Sequence, residues 1–356
     1  MWKRPIKAAV HVGLDQPRLR ALVEADLKTR RPPRPDETTR DDGTFVDRYG
    51  VSHPLDLSLR DRLKPEWRSM LDPEAASRPP SDQVLRRRAR KAVNSAREAS
   101  TTVLAATGAP LAGRILEVGC YDGAVAFQLA KSGGKEVVAS DMARYYVVQR
   151  PGEPEDAEIA RQQDALAAIR ERARVAADAP AGAVGFVGDD IVDSALEPDS
   201  FDGIVSFEVL EHLQRPAAAF CAMRRLLRPG GVAYHDYNPF FSLNGGHSLC
   251  TLDFPWGHAR LDHGDFERYL EERRPGAAVQ TLRFYDESLN RMTLADMRGA
   301  IEEARLEALA VVPWSDRSLV PRLTPDVLPE VRRTYPTATV EDLLATFVSV
   351  VVRRPA

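Results

Sequence analysis

The stretch Ile115-Leu116-Glu117-Val118-Gly119-Cys120-Tyr121-Asp122-Gly123 decides the fold. It opens as an apolar run of strand character, carries a carboxylate near its end, turns through two glycines and enters a helix-forming segment at 123–132. Glycine adopts dihedrals closed to other residues and lets the backbone approach a ligand closely. Such a strand–turn–helix is the unit from which parallel sheets are built.

Working outward, the same alternation continues. Apolar β runs fall at 114–118, 136–140, 184–187, 201–207 and 231–237. Helical stretches fall at 83–106, 123–132 and 157–177, and between 207 and 227. Ser81-Asp82 reads as the N-cap of the first helix, and Gly108 and Pro110 end it. Two later β runs, 306–312 and 345–352, bring the strands to seven. Between them and the earlier strands, 284–291 leads into a helix at 293–304 with a capping-box pattern, Thr293-x-x-Asp296. Strands alternating with helices predict an α/β fold: a Rossmann-like, doubly wound, mostly parallel seven-stranded sheet covered on both faces. Ligands of such sheets bind beyond the C-terminal strand ends.

Composition is that of a globular protein: 356 residues, 44% apolar, 28% charged, formal net charge −3. No apolar run approaches the roughly 18–20 residues a membrane helix needs, and no signal-peptide h-region follows the early basic residues. Cys120, Cys221 and Cys250 have no paired spacing, which suits reduced thiols in a cytoplasmic protein. Residues 1–91 carry 21 Lys and Arg against 14 Asp and Glu, leaving the remainder acidic. Arg86, Arg87, Arg88, Arg90 and Lys91 are the densest basic cluster. They suit either an anionic partner or the solvated face of a helix, since Val84, Leu85, Ala89, Ala92 and Val93 interleave with them. Residues 1–80 hold Pro-rich punctuation (31–35 and 78–80), with short helices expected within 11–28 and 60–71. The chain therefore divides into an irregular-to-helical N-terminal extension, 1–90, and a main domain, 91–356, with insertions at about 145–180 and 238–292.

The spacing of the glycine turn selects the ligand. A dinucleotide site requires G-x-G-x-x-G, with pyrophosphate on a helix N-terminus. Here the pattern is E-x-G-x-x-x-G, with a carboxylate ahead of the first glycine. S-adenosylmethionine (SAM) carries an ammonium and a sulfonium and no phosphate, so an acidic rim suits it. Asp141, 24 residues after Glu117, ends the next strand, where a carboxylate can accept both ribose hydroxyls. A plain helix N-cap is the other reading of Asp141.

These residues resemble class I SAM-dependent methyltransferases, whose first motif is usually E-x-G-x-G-x-G. Glu117, Gly119 and Gly123 match it, and Tyr121 stands where the middle glycine falls. Asp141 matches the ribose-binding acid. Gly188-Asp189-Asp190-Ile191 resembles the segment in which an Asp meets the adenine amino group, with Asp190 preferred and Ile191 on the ring. Phe201-Asp202-Gly203-Ile204-Val205-Ser206 and Leu227-Arg228-Pro229-Gly230-Gly231 resemble the fourth strand and the turn into the fifth. The likeness covers roughly 110–312 and implies a last strand antiparallel to the rest. The cofactor-binding set it implies is Glu117, Gly119, Cys120, Tyr121, Asp122, Gly123, Asp141, Met142, Asp189, Asp190, Ile191, Phe207 and Glu208.

Glu208-Val209-Leu210-Glu211-His212 would place two carboxylates and an imidazole on one helical face. It resembles the E-x-x-E-H segment of magnesium-dependent O-methyltransferases. That likeness implies Mg²⁺ on Glu208, Glu211 and His212, completed by His258 with His247 behind it. Without a metal, these residues cap and line the pocket, and His212, His235 or His258 becomes the general base. Residues 242–265, rich in His, Gly and aromatics, are expected as an irregular acceptor-binding lid; packed core aromatics are the alternative. The predicted activity is methyl transfer to a hydroxyl of a small molecule. RNA 2′-O-methylation, N- or C-methylation, and a non-catalytic SAM-binding protein are the alternatives.

Overall fold

The computed structural model describes residues 43–63, 79–142 and 156–356. The helix expected within 11–28, most of that expected at 60–71, and the start of the 145–180 insertion lie outside these residues. Two short strands, β1 (Thr44–Val46) and β2 (Ser52–Pro54), form an antiparallel hairpin that the sequence reading did not mark; its turn is made by Asp47, whose Oδ1 accepts from Tyr49 N and Val51 N, and by Gly50 at φ 78°. Its Phe45 is buried and meets Tyr269 edge-on at 5.2 Å, so the hairpin is held by packing on the later helix His263–Arg273.

The main sheet comprises β3 (Gly113–Val118), β4 (Gly134–Asp141), β5 (Val184–Gly188), β6 (Phe201–Phe207), β7 (Leu227–Tyr237), β8 (Glu307–Ser315) and β9 (Ala345–Arg353). Their order is β5-β4-β3-β6-β7-β9-β8. The first five run parallel, and β9 pairs antiparallel with both β7 and β8. Each expected strand is present, as is the antiparallel closing strand. Chain order reverses beside β3, which makes its C-terminal end the switch point where such sheets open a crevice.

The long helix Asp82–Thr107 starts where expected. Ser81 Oγ accepts the Val84 N–H at 3.4 Å, and Gly108 closes the helix in the left-handed region. It runs through position 90 without a break. Leu85, Ala89, Ala92, Ala96, Ala99 and Val103 line its buried face; Arg86, Arg87 and Arg90 are exposed, and Arg88 is half-buried. The helices Pro216–Leu226 and Leu294–Glu303 cover one face of the sheet through Phe220, Met223, Met297 and Ile301; Ala126, Leu129, Ala96 and Val103 cover the other. The capping box at Thr293 and Asp296 is formed as read. No described helix is long and apolar enough to cross a membrane.

A separate core lies beyond β7. It gathers Phe240, Phe241, Leu249, Phe254, Trp256, Phe266, Tyr269, Tyr285 and Val331 with Phe45 of the hairpin. Residues 242–256 are irregular as expected. The end of that segment, however, is helical (Gly257–Arg260 and from His263), and Phe284 lies inside the helix Ala278–Glu287. Phe254, Trp256 and His258 are buried in this core, so the aromatics of the expected lid are mostly its packing.

Candidate functional site

Parallel pairing brings the C-terminal ends of five strands to one edge. Val118 pairs with Ser140 and Ser206, Asp141 with Gly188, and Phe207 with Asp236. Glu117, Asp141, Asp189, Glu208 and Asp236 therefore share one rim of the sheet.

The turn after β3 is tightly built. Gly119 and Cys120 N–H groups both donate to Ser140 O, at 2.9 and 3.0 Å. Gly119 and Gly123 have φ of 72° and 74°, and a Cβ at either would collide with Val209 or Phe186 respectively. Tyr121 lies between them with φ 44°. Its N–H donates to Asp141 Oδ2 at 2.7 Å, and its carbonyl accepts from Arg170 Nε at 3.0 Å. Arg88 from the long helix lies 5.0 Å from the Tyr121 ring centroid and pairs with Asp122 at 3.0 Å. Asp122 Oδ1 in turn accepts the Ala124 N–H at 3.1 Å, starting the next helix.

Glu117 is buried, and its Oε2 has no hydrogen-bond partner among the described residues. Burial raises its pKa well above the carboxylate range, with Asp122 and Asp141 adding to the effect. Asp141 Oδ1 accepts from Met142 N at 2.9 Å. Beyond β5 the two aspartates differ. Each accepts one backbone N–H: Asp190 Oδ1 from Val192 N at 3.0 Å as a helix N-cap, and Asp189 Oδ1 from Ala195 N at 3.0 Å; Asp189 Oδ2 is enclosed with no partner among the described residues. Ile191 is buried beside them.

The E-x-x-E-H segment departs from its expected form. Only Leu210–His212 is helical, as a single 3₁₀ turn, and Glu208 precedes it with φ 57°. The three side chains consequently diverge. Glu208 is largely exposed and pairs with Lys91 at 3.5 Å. Glu211 is buried, and its Oε1 accepts from Asn238 N and Nδ2 at 3.2 and 3.3 Å. His212 donates Nδ1–H to Ser288 O at 2.6 Å and faces His247 and Phe284. His258 is fully buried, with Nε2–H on Phe240 O at 2.8 Å. No three His, Cys, Asp or Glu side chains gather as a metal site among the described residues. The expected Mg²⁺ ligands Glu208, Glu211, His212 and His258 are thus not brought together, because a 3₁₀ turn lacks the i, i+3, i+4 face of an α-helix.

Two of the three expected bases are also displaced. His235 is fully buried in the sheet, its Nδ1 2.8 Å from Ser206 Oγ and its ring against Phe220. Burial pulls its pKa down to about 3, and that of His258 to about 4. Both serve packing. His212 is half-buried; burial lowers its pKa, opposed by the Ser288 bond.

The sequence reading passed over Arg170 and Asp236. Arg170 sits in an Ala- and Arg-rich helix where nothing local marks it, and the signal was Tyr121, which needs outside support in its turn. Asp236, at the end of β7, is buried with Oδ1 3.3 Å from Glu208 N. Burial, then Glu208, Glu98 and Glu211, push its carboxyl up to about 8.

Residues 83–311 match the family model described as a methyltransferase domain. A ubiquinone biosynthesis O-methyltransferase of Xylella fastidiosa is 34% identical over 123 residues, covering 34% of this chain and 41% of that protein. Its counterpart from Xanthomonas campestris is 30% identical over 122 residues, with the same coverage. The match therefore spans 41% of the length of these curated relatives. Among solved structures, a SAM-dependent methyltransferase from Mesorhizobium loti aligns at TM-score 0.40 and 18% identity, over 71% of this chain and 96% of that one.

Proposed function

The chain belongs to the methyltransferase-domain family of class I SAM-dependent enzymes, and on that premise we propose that it transfers a methyl group from SAM to a hydroxyl of a small molecule. The observation that carries the reading is the acidic rim. Glu117, Asp141 and Asp189 stand at the ends of three adjacent strands, and Glu117 Oε2 and Asp189 Oδ2 lack partners among the described residues. SAM offers an ammonium, two ribose hydroxyls and an adenine amine, which are donors matched to three carboxylates. The residues present fit that group.

Asp141 would accept from the ribose through the second lone pairs of oxygens already bonded to Tyr121 and Met142. Asp189, with an oxygen to spare, is better suited than Asp190 to the adenine amine. Glu117 would face the ammonium, and a cation beside it would return it to its charged form. Gly119, Cys120, Asp122, Gly123, Met142, Ile191, Phe207 and Glu208 complete the proposed lining. Bound there, SAM supplies a methyl carbon on a sulfonium leaving group. The chain's task is then to place the acceptor and take its proton. We assign that role to His212, whose ring is oriented by the Nδ1–H bond to Ser288 O.

The O-methyltransferase name of the curated relatives supports a hydroxyl acceptor. RNA is the second reading, favoured by Arg86, Arg87 and Arg90, which stand exposed on the helix whose Arg88 and Lys91 reach the rim. Calorimetry with SAM, followed by methyl transfer to a panel of phenols and sugars and to short RNA, tests both. Failure of SAM to bind would overturn the proposal; transfer to RNA alone would replace the acceptor.

A further inference from the structure

The loop that departs from the glycine pattern is held from outside. Tyr121 occupies a left-handed conformation that a side chain disfavours, φ 44°, where glycine would sit without strain. Both of its backbone polar groups are bonded at a distance in sequence: N–H to Asp141 Oδ2 at 2.7 Å, and C=O to Arg170 Nε at 3.0 Å. Arg170 belongs to the helix Asp156–Ala176 between β4 and β5. Its Nη2 lies 3.6 Å from Cys120 Sγ, and its guanidinium stacks 4.3 Å from the Phe186 ring centroid. Phe186 is the ring packed against Gly123. One planar cation therefore touches the residue before Tyr121, Tyr121 itself, and the wall against Gly123. It also faces Glu117, whose carboxylate form it favours.

We propose that Arg170 is a positioning residue for SAM binding, fixing the Cys120–Gly123 turn in its ligand-ready shape in place of the missing middle glycine. The proposal rests on the SAM reading above. Only a guanidinium fits the arrangement, because the contacts need a planar fork and a stacking face together. The expected coupling is specific: the anchor matters because residue 121 is not glycine.

The test is a calorimetric cycle with SAM and with S-adenosylhomocysteine on the full chain. Arg170→Ala is expected to weaken binding about tenfold or more, the scale of a charge-assisted hydrogen bond. It is also expected to raise KM for SAM more than it lowers kcat. Arg170→Lys should recover only part of the loss. Repeated in a Tyr121→Gly background, the Arg170→Ala loss should shrink to about threefold or less, because glycine takes the conformation unaided. In the ligand-free protein, amide exchange at 119–123 should quicken in Arg170→Ala and not in the double variant. Wild-type affinity in Arg170→Ala would overturn the inference, as would equal losses in both backgrounds. Should Arg170→Ala not fold, Arg170→Lys carries the same cycle. Wild-type protein that binds no SAM would overturn the functional reading itself.

Discussion

Tyr121 and Asp141 are joined by a 2.7 Å hydrogen bond from the backbone N–H of the first to Oδ2 of the second. The residue that breaks the glycine motif is thereby tied to the carboxylate ending the neighbouring strand. On the proposed reading Asp141 has two duties: it fixes the turn and it accepts from the ribose. A carboxylate can do both, since each oxygen offers two lone pairs. A helix N-cap alone would not explain the bond to Tyr121 N, which comes from the neighbouring turn; the residues that such a cap would start lie outside the described ones.

Removing that carboxylate should loosen both turn and ligand. Asp141→Ala is expected to weaken SAM binding by about ten- to a hundredfold, corresponding to a bond to a charged group worth about 1.5–3 kcal/mol. Asp141→Asn, which keeps one acceptor oxygen, should lose less. Calorimetry measures both, and an unchanged affinity in Asp141→Ala would remove Asp141 from the cofactor site.

The two aspartates after β5 should separate in SAM affinity. Asp190 already caps a 3₁₀ turn through Val192 N, so Asp190→Ala is expected to cost about 1 kcal/mol of stability with little change in SAM affinity. Asp189 Oδ1 accepts from Ala195 N at 3.0 Å while Oδ2 is enclosed without a partner among the described residues, so Asp189→Ala should weaken SAM several-fold and cost a comparable amount of stability, about 1 kcal/mol. The reverse pattern would restore Asp190 as the adenine contact.

Glu211 makes stability depend on pH. Burial lifts its carboxyl from 4.5 to about 8, so the folded state holds a proton that the unfolded state releases between those values. Stability is therefore lost as pH rises through that window. Asp236, pushed up to about 8 by burial and its acidic neighbours, acts in the same direction. Glu211→Gln keeps an acceptor for Asn238 and cannot ionise. Its unfolding free energy should track the wild type near pH 5 and exceed it at pH 8–9 by a few kcal/mol in order of magnitude, read as a higher Tm. Parallel Tm curves across that range would show that Glu211 is charged in the folded protein.

The sheet was legible because its signals are local and repeated: apolar runs, glycine turns and caps each identify themselves within a few residues. The acidic rim was legible for the same reason, since strand ends put Glu117 and Asp141 where parallel pairing must align them. The E-x-x-E-H geometry was not. The letters suit an α-helical face, but Glu208 takes a positive φ and Asn290 pins the turn, donating Nδ2–H to Leu210 O and Leu213 O at 2.6 and 2.9 Å. A partner some 80 positions away decided the backbone. The histidines of 242–263 were ambiguous for a similar reason, because a buried imidazole on a carbonyl and a ligand look alike in sequence.

Divergence of the E-x-x-E-H side chains has a direct consequence. A divalent ion needs several oxygen or nitrogen donors converging at about 2–2.5 Å, and here Glu208 meets Lys91, Glu211 meets Asn238 and His258 meets Phe240 O. Turnover measured with EDTA should stay within about twofold of that with added Mg²⁺, small beside the several kcal/mol expected of Lewis-acid catalysis. Loss of activity on chelation, restored by Mg²⁺ and absent in Glu211→Gln, would show that these donors rearrange around an ion when substrates bind.

If proton removal falls to a side chain, as proposed, the three candidate imidazoles make different predictions. His235 and His258 lie sealed in two cores with pKa values near 3 and 4, neutral at any working pH and out of reach of an acceptor. His258→Asn should chiefly lower Tm, since Phe240 O loses its donor. His212, the proposed base, has Nδ1–H fixed on Ser288 O, and burial holds its pKa below the usual 6.5. Activity should accordingly be flat above about pH 7 and fall on the acid side as the ring protonates. His212→Asn should lower kcat by about a hundredfold or more, abolish that acid limb, and leave SAM affinity within about threefold, well inside one charged hydrogen bond. The discriminating measurement is the kcat–pH profile of the two variants side by side. An acid limb that survives in His212→Asn would assign the proton to another group on the rim, with Asp236 the first to substitute.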